Sequence, residues 1–201
     1  MALFNVIPDS RVSSCLSTRK DTLEDILTHL PHETVWEMNQ VHLDQIQIID
    51  SLTHSEYVSQ DNKRQVPHTD ALISTQINQL LLVRSADCLP VLIFHPNPLV
   101  AAIHAGRKGT EMGILKKVLS KIQAEYGLID GFKIWLGPRI CTNCYEMDLV
   151  EENMKQIREQ IDISKSHVID CKVCTSCQNE HYFSYRKEGP GSGRIYSGIR
   201  I

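Results

Sequence analysis

Short runs of apolar residues recur along the chain between polar, proline-containing or glycine-containing segments, and such runs are typical of β-strands. They cover residues 34–38, 45–50, 70–74, 79–85, 88–95, 99–104, 132–136 and 167–170. Two of them, 88–95 and 99–104, are apolar almost throughout. They predict a pair of buried strands joined by a turn that contains Pro96 and Pro98.

Three other segments have the residue spacing of amphipathic helices. Residues 21–30 place their leucines and isoleucine on one face and begin with Asp21 and Glu24, the spacing of a capping box. A second helix ends before Gly127, a residue type that favours helix termination. A third helix is predicted over residues 147–161.

The remaining segments predict loops. The polar stretch 51–69 has no period and is long enough to form a lid or a disordered loop. Residues 106–110, GRKGT, predict a turn. Because several strands follow one another without an intervening helix, the pattern favours an α+β fold over a doubly wound parallel sheet. We therefore predict a layered α/β sandwich with a mixed β-sheet.

Composition limits the class and location of the protein. With 201 residues, of which 42% are hydrophobic and 22% charged, we expect one globular domain. The net charge of −3, without clustered basic residues, argues against nucleic-acid binding, and no apolar run has the length of a membrane span. The N-terminal segment does not resemble a signal peptide, and the chain contains seven cysteines. They indicate cytoplasmic thiols or metal ligands rather than a disulfide framework.

His42, Cys88 and His104 each lie near the point where a predicted strand meets a loop, so the three side chains could meet at one sheet edge. Two imidazoles and a thiolate suit a catalytic zinc ion, which takes three protein ligands and keeps a fourth position open. Two alternatives remain open. One is a buried thiol with two ordinary histidines, and the other is a nucleophilic Cys88 with His104 as its base.

A second group of candidate ligands lies nearer the C-terminus. The segments CTNC and CKVCTSC contain the five cysteines Cys141, Cys144, Cys171, Cys174 and Cys177. Paired C-x-x-C segments can form a closed structural zinc site, and the alternative is that these thiols are packing residues.

Six segments occur in an order that resembles one known family. They are QVH (40–42), DALIS (70–74), SADCLPVLIF (85–94), VAAIHAG (100–106), GPRICTNCYEM (137–147) and CTSCQNEHYFSYRKEG (174–189), the last followed by SGRIYSGI. Together they resemble the YfiH-like laccase-domain family, also labelled polyphenol oxidase or purine nucleoside phosphorylase. The resemblance covers the chain from about Trp36 to Ile201, and ordered motifs are more specific than any single one.

The resemblance implies one domain of this family over residues 1–201, with a shortened N-terminal segment and one zinc ion. The implied ligands are the histidine of QVH, the cysteine of ADC and the histidine of HAG, which are His42, Cys88 and His104 here. Family members are associated with phosphorolysis of adenosine, inosine and methylthioadenosine, and with adenosine deamination. Others are linked to editing of peptidoglycan precursors by removal of a misplaced amino acid.

We therefore expect a zinc-dependent purine nucleoside phosphorylase or adenosine deaminase, with a nucleoside and phosphate as its small-molecule partners. Asp70 and Asp87 are the candidates for proton transfer. The candidates for holding phosphate are Arg107, Lys108, Arg186 and Arg194. The alternatives are an amide hydrolase that uses zinc or Cys88, and a zinc-binding module without catalysis.

The chain departs from the family pattern at several positions. Arg107 and Lys108 stand where Trp-Arg is common, and Leu43 replaces a glycine. Cys144 matches a family cysteine that we expect to line the pocket. Laccase activity is not expected, because multicopper oxidation typically uses His-x-His ligand pairs and the nine histidines form none.

Overall fold

The fold was obtained as a computed structural model and is described for residues 2–51 and 62–201. The strands are β1 Leu3–Phe4, β2 Ser13–Leu16, β3 Thr34–Met38, β4 Ile46–Ile49, β5 Lys63–Val66, β6 Ala71–Ser74, β7 Gln79–Ser85, β8 Leu89–His95, β9 Leu99–Ala105, β10 Lys133–Leu136, β11 His167–Asp170 and β12 Ile195–Arg200. The helices are α1 Leu23–His29, α2 Arg107–Glu111, α3 Ile114–Tyr126, α4 Leu149–Gln160 and α5 Tyr185–Glu188, with short 3₁₀ turns at Ile163–Lys165 and Gly189–Gly191. None of the helices in these ranges combines the length and the apolar character that a bilayer crossing requires.

The strands form two six-stranded sheets. The first sheet has the order β1-β2-β12-β7-β3-β5, and the second has the order β11-β10-β8-β9-β6-β4. Both sheets are mixed. In the first sheet β3 pairs parallel with β5 and β7, while in the second sheet β8 and β9 form an antiparallel hairpin.

The two sheets pack face to face, and apolar side chains such as Trp36, Leu81 and Phe94 fill the space between them. Helices α3 and α4 cover the outer face of the second sheet, where Val118 joins its core cluster. Helix α1 covers the outer face of the first sheet through Ile26. Full burial of each large apolar side chain contributes roughly 1.5–3 kcal/mol. The layered α+β prediction is confirmed, with two mixed sheets rather than one.

The capping box of helix α1 lies one residue later than predicted. The N-cap is Thr22, whose side chain accepts from the backbone N–H of Asp25, while the Asp25 carboxylate accepts from the backbone of Thr22. Asp21, the predicted cap, instead accepts hydrogen bonds from the backbone and hydroxyl of Thr18. The Asp21–Glu24 box was therefore wrong, because the preceding turn uses the Asp21 carboxylate.

Several segments differ from the sequence prediction, among them the following three. Residues 107–111 form helix α2 where a turn was predicted, and residues 63–66 form β5 within the predicted loop 51–69. Residues 52–61 of that loop lie outside the described part of the chain. The C-terminal strand β12 was not predicted, although it lies inside the first sheet between β2 and β7. In β5, parallel pairing with β3 stabilises a sequence that has no apolar period.

Candidate active site

Two imidazoles and one thiol, predicted from separate motifs, converge in the structure. The ligand atoms of His42, Cys88 and His104 all lie within 4.8 Å of one another. His42 lies in the loop after β3, Cys88 in the turn from β7 to β8, and His104 near the end of β9. The donors therefore come from both sheets and meet where the sheets adjoin. Nitrogen and sulfur donors at this separation can hold one transition-metal ion.

Asp70 fixes the loop that carries His42. The backbone N–H groups of Val41, His42 and Leu43 donate to the Asp70 carboxylate over 3.2, 3.0 and 2.9 Å. His42 has a left-handed backbone with φ of 62°, a conformation that is uncommon outside glycine. Three converging amide donors compensate for this backbone cost, so the imidazole of His42 is held in place from behind.

The same carboxylate orients His104. Asp70 Oδ1 lies 2.8 Å from His104 Nδ1, and both side chains are buried. Burial alone would raise the pKa of Asp70, but hydrogen bonds from His104 and from the backbone of Leu43 lower it below its usual value. An ionised carboxylate only accepts, so His104 donates from Nδ1, and Nε2 is the ring nitrogen that can bind a metal ion once it has released its proton. This is the arrangement in which a carboxylate positions a metal-binding imidazole.

Cys88 lies against both imidazoles. Burial alone would raise the pKa of its thiol, but the charge and hydrogen bonds of His104 and His42 lower that pKa to about 6. The pKa of His104 is correspondingly raised to about 9, because the opposing effect of burial is outweighed by Cys88 and Asp70. Gly106 leaves the space for this group, since a Cβ there would lie 3.1 Å from Cys88 Sγ and 3.3 Å from His42 Cδ2.

Asp87, predicted for proton transfer, anchors the C-terminal segment in this structure. Its carboxylate accepts from the Thr175 hydroxyl at 2.6 Å and from the backbone N–H of Arg186 at 2.7 Å. Its own φ is 90°, so the turn before Cys88 is held in an unfavourable backbone conformation by these two contacts. A role for Asp87 or Asp70 in proton transfer stays a prediction.

The three donors border a cavity of about 980 Å³. Its lining also includes Asp87, Arg107, Lys108, Arg186 and Arg194, so all but one of the residues predicted for the site border one cavity. Asp70, the exception, is fully buried behind His42 and His104. A volume of this size accommodates a drug-sized molecule.

The four predicted phosphate-binding cations differ in their surroundings. Arg107 forms ion pairs with Glu111 at 2.9 Å and with Glu146 at 2.7 Å, and Arg186 approaches the same Glu146 at 3.6 Å. Among the described residues, no acidic side chain lies within ion-pair distance of Lys108 or Arg194. The two charges without an acidic partner are therefore those most open to an incoming anion.

Several further residues at the cavity were not predicted as site residues, and four of them bear on its chemistry. They are Gln40, Tyr145, Glu146 and Tyr185, of which Gln40, Tyr145 and Tyr185 line the cavity. The side chain of Gln40 accepts from the backbone N–H of Arg84 at 2.9 Å and donates to its carbonyl at 2.7 Å, which fixes the start of the His42 loop. Gln40 belongs to QVH, and Tyr145 and Glu146 to GPRICTNCYEM. These residues could therefore have been predicted from the other polar positions of the same motifs.

Cys144 was expected to line the pocket, and this is corrected by the structure. Within the described residues, the cavity lining does not include Cys144. Its sulfur instead lies 3.6 Å from that of Cys177, because the two C-x-x-C segments face each other.

A sequence-family comparison decides the family of the chain. The model of the family described as multi-copper polyphenol oxidoreductase laccase matches residues 14–160 and 147–201. This chain belongs to that laccase-domain family. The predicted resemblance is confirmed, and the family description names a sequence relationship rather than a set of copper ligands.

Individual members of the laccase-domain family are similar to this chain. A purine nucleoside phosphorylase of Clostridium acetobutylicum is 31% identical over 173 residues, covering 73% of each chain. An adenosine deaminase named RL5, from an unknown prokaryotic organism, is 26% identical over 160 residues, covering 65% of this chain and 61% of the relative. Among solved structures, YfiH of Bacillus licheniformis has a TM-score of 0.82 at 22% identity, covering 95% of this chain and 93% of its own. This last likeness establishes the shared fold.

Proposed function

We propose that this protein is a zinc-dependent enzyme of purine nucleosides, with phosphorylase or deaminase activity on adenosine, inosine or methylthioadenosine. The observation that carries the proposal is the meeting of His42, Cys88 and His104 at one cavity, with their ligand atoms within 4.8 Å of one another. The names of the similar family members support the nucleoside as the substrate class. We also propose that residues 1–201 form one domain of this family.

The donor set fits zinc. His42, Cys88 and His104 would hold it, with Nε2 of His104 as the free ring nitrogen because Nδ1 is bound to Asp70. A bound zinc ion supplies Lewis acidity, which polarises a substrate oxygen or acidifies water. Three protein ligands leave a fourth coordination position for substrate or water, as catalytic zinc sites require.

The residues of the chain provide the rest of the site. Tyr145 and Tyr185 both line the cavity. Because Arg186 lies over the Tyr145 ring at 5.1 Å, the exposed Tyr185 ring offers the aromatic face for a purine, in place of the tryptophan that is common at position 107 in the family. Lys108 and Arg194 also line it and provide the charges for phosphate. Asp70 keeps both histidines in position and accepts a hydrogen bond from the Nδ1–H group of His104.

The two reactions differ in the nucleophile that enters the cavity. In phosphorolysis, a phosphate oxygen attacks the anomeric carbon, the glycosidic bond breaks, and the purine leaves with a proton as ribose 1-phosphate forms. In deamination, water adds to the purine ring and ammonia leaves, so adenosine becomes inosine. The cavity and its cations suit the first reaction, and the second needs no anion site.

The test is turnover of adenosine with and without phosphate, beside zinc analysis of the same preparation. We expect adenine and ribose 1-phosphate with phosphate, or inosine without it, and Cys88→Ser should lose zinc from this site together with turnover. Cys171→Ser is the matched control, because Cys171 lies outside this site and should keep both. Unchanged zinc and unchanged turnover in Cys88→Ser would overturn the proposal.

An amide hydrolase that uses Cys88 as its nucleophile is the second candidate. The contact of Cys88 with both imidazoles favours it, because a thiolate beside a base is a competent nucleophile. Such an enzyme would keep its activity after chelation and would lose it on alkylation of Cys88. The zinc enzyme, in contrast, would lose its activity when a chelator removes the zinc.

A further inference from the structure

Four cysteines outside the cavity form a second cluster of donor atoms. The sulfur atoms of Cys141, Cys144, Cys174 and Cys177 all lie within 4.8 Å of one another. They come from two C-x-x-C segments, CTNC and CTSC, that are far apart in the sequence. The fifth candidate, Cys171, does not belong to the cluster.

The sulfur separations match a tetrahedral ion. Cys144 Sγ lies 3.6 Å from Cys177 Sγ, and Cys141 Sγ lies 3.9 Å from the same atom. Four sulfur atoms placed tetrahedrally at about 2.3 Å from a zinc ion are separated by about 3.8 Å from one another. A disulfide would need about 2.05 Å, and all the cysteines of the cluster are free thiols. The four sulfur atoms thus surround a space of the size that one zinc ion fills.

Backbone amides are placed to support the sulfur of Cys174 as a metal ligand. The N–H groups of Cys141 and Cys177 lie 3.3 and 3.4 Å from Cys174 Sγ, in position to donate to it. Lys187 Nζ donates at 3.4 Å to the carbonyl of Ser176, which lies between the two cysteines of its segment. Amide donors and a nearby cation both stabilise negative charge on a ligand sulfur.

The chain around the cluster is held independently of any ion. Arg139 forms a parallel β-bridge with Cys174, and its guanidinium binds the Asp170 carboxylate at 2.5 and 3.0 Å. The two C-x-x-C segments therefore face each other because the backbone pairs beside them. Such positioning before binding lowers the entropy cost of assembling four ligands.

We propose that Cys141, Cys144, Cys174 and Cys177 bind a structural zinc ion in a closed tetrahedral site. This site is separate from the one formed by His42, Cys88 and His104, so it goes beyond the proposed function. Zinc here would join two segments that lie next to residues of the cavity lining. Cys144 immediately precedes Tyr145, and Cys174 precedes Thr175, whose hydroxyl donates to Asp87.

The experiment is zinc analysis of full-length protein purified under reducing, oxygen-free conditions. We expect about two zinc ions per chain in the unaltered protein and about one in Cys88→Ser or in Cys177→Ser, since four-cysteine sites hold one ion each. The variant with both substitutions should hold none. Cys171→Ser, a neighbouring cysteine outside both groups, should keep about two.

X-ray absorption of zinc in Cys88→Ser identifies the ligands even if Cys177→Ser fails to fold. Four sulfur neighbours at about 2.3 Å are expected. Folded Cys88→Ser without zinc, or with nitrogen neighbours around its zinc, would overturn this site. A disulfide within the cluster in freshly isolated protein would overturn it as well. Absence of nucleoside turnover in the unaltered protein, with an intact four-sulfur signal in Cys88→Ser, would count against the proposed function alone.

Discussion

At the scale of single residues, one buried carboxylate connects the parts of the candidate site. Asp70 accepts hydrogen bonds from three backbone N–H groups of the His42 loop and from the Nδ1–H group of His104. It is fully buried and does not line the cavity. Its contacts therefore favour a positioning role, in which Asp70 acts on the chemistry through the two histidines.

Replacing Asp70 with Asn should weaken zinc binding at the His42 site by about 10- to 100-fold, the usual effect of losing such a supporting carboxylate. An amide cannot accept with both of its polar atoms, so it cannot hold the loop amides and the His104 Nδ1 proton together. Competition with a fluorescent zinc chelator in a Cys177→Ser background measures this site alone. Asp148→Asn is the matched control, because Asn is an equally good N-cap for α4. Equal affinities in the two variants would contradict the positioning role.

Lys108→Ala should raise the KM for phosphate about tenfold while the rate of deamination stays the same. Lys108 lines the cavity, and a hydrogen bond to a charged group contributes roughly 1.5–3 kcal/mol. Initial rates at varied phosphate concentration measure the effect. Lys116→Ala, which removes a surface lysine paired with Glu159, should leave the KM unchanged. A KM that does not move in Lys108→Ala would exclude this lysine from phosphate binding.

The residue types at the metal centre could be predicted from sequence, whereas the ion pairs of the cavity could not. His42, Cys88 and His104 lie in short motifs at strand ends, where function collects. Glu146 neutralises Arg107 and Arg186 only because the segment before α4 meets helices α2 and α5 in space. The spacing of these three residues along the sequence does not predict that they come into contact.

At the scale of elements, helix α2 supports the metal centre from the side of the His42 loop. A Cβ on Gly109 would lie 2.6 Å from the carbonyl oxygen of Leu43, a backbone atom that cannot rotate away. Helix α2 therefore packs directly against the backbone of the loop. The sequence prediction of a turn at residues 106–110 concealed this contact.

Gly109→Ala should lower the free energy of unfolding by about 1–2 kcal/mol and weaken zinc binding at His42. The helix propensity of Ala favours the folded state by up to about 1 kcal/mol, but overpacking costs about 1–3 kcal/mol. Urea unfolding and zinc competition measure the two effects. In Gly191→Ala no heavy atom lies within 4 Å of the new Cβ, so neither quantity should change. A Gly109→Ala protein as stable as the original would show that the loop moves freely.

Elements with strong apolar periods were predicted best. Strands β3, β7 and β11 have the predicted bounds, and α3 ends before Gly127. Strand β12 was missed because its sequence, IYSGIR, contains Gly198, which is unfavourable in an isolated strand. In the sheet this glycine leaves room for neighbouring side chains, since a Cβ there would lie 2.7 Å from Leu82 Cδ2.

At the scale of the whole molecule, the sequence pattern predicted the class but not the division into two sheets. Apolar runs reveal strands, yet they do not say which strands pair, and here β8 and β9 belong to one sheet while β7 belongs to the other. The chain passes between the sheets at residues 86–88, so Cys88 lies at that crossing. The resemblance of the ordered motifs to the family was needed to predict that His42, Cys88 and His104 lie together.

Removing zinc should lower the melting temperature by about 10 °C. An ion that binds only the folded state stabilises it by about 4 kcal/mol at 1,000 times its Kd, and each kcal/mol moves the midpoint of a chain of this size by about 2–4 °C. Differential scanning fluorimetry with and without a chelator, followed by zinc addition, measures the shift. The double variant Cys88→Ser, Cys177→Ser should not respond to the chelator. A midpoint that stays constant after verified zinc removal would contradict a stabilising role for either ion.

The β8–β9 hairpin gives the molecule two ends with different tolerance to change. Cys88 and His104 lie at one end, and the turn with Pro96, Asn97 and Pro98 lies at the other, a strand length of roughly 23 Å away. A reporter peptide or an epitope inserted into that distal turn would leave the chemistry untouched.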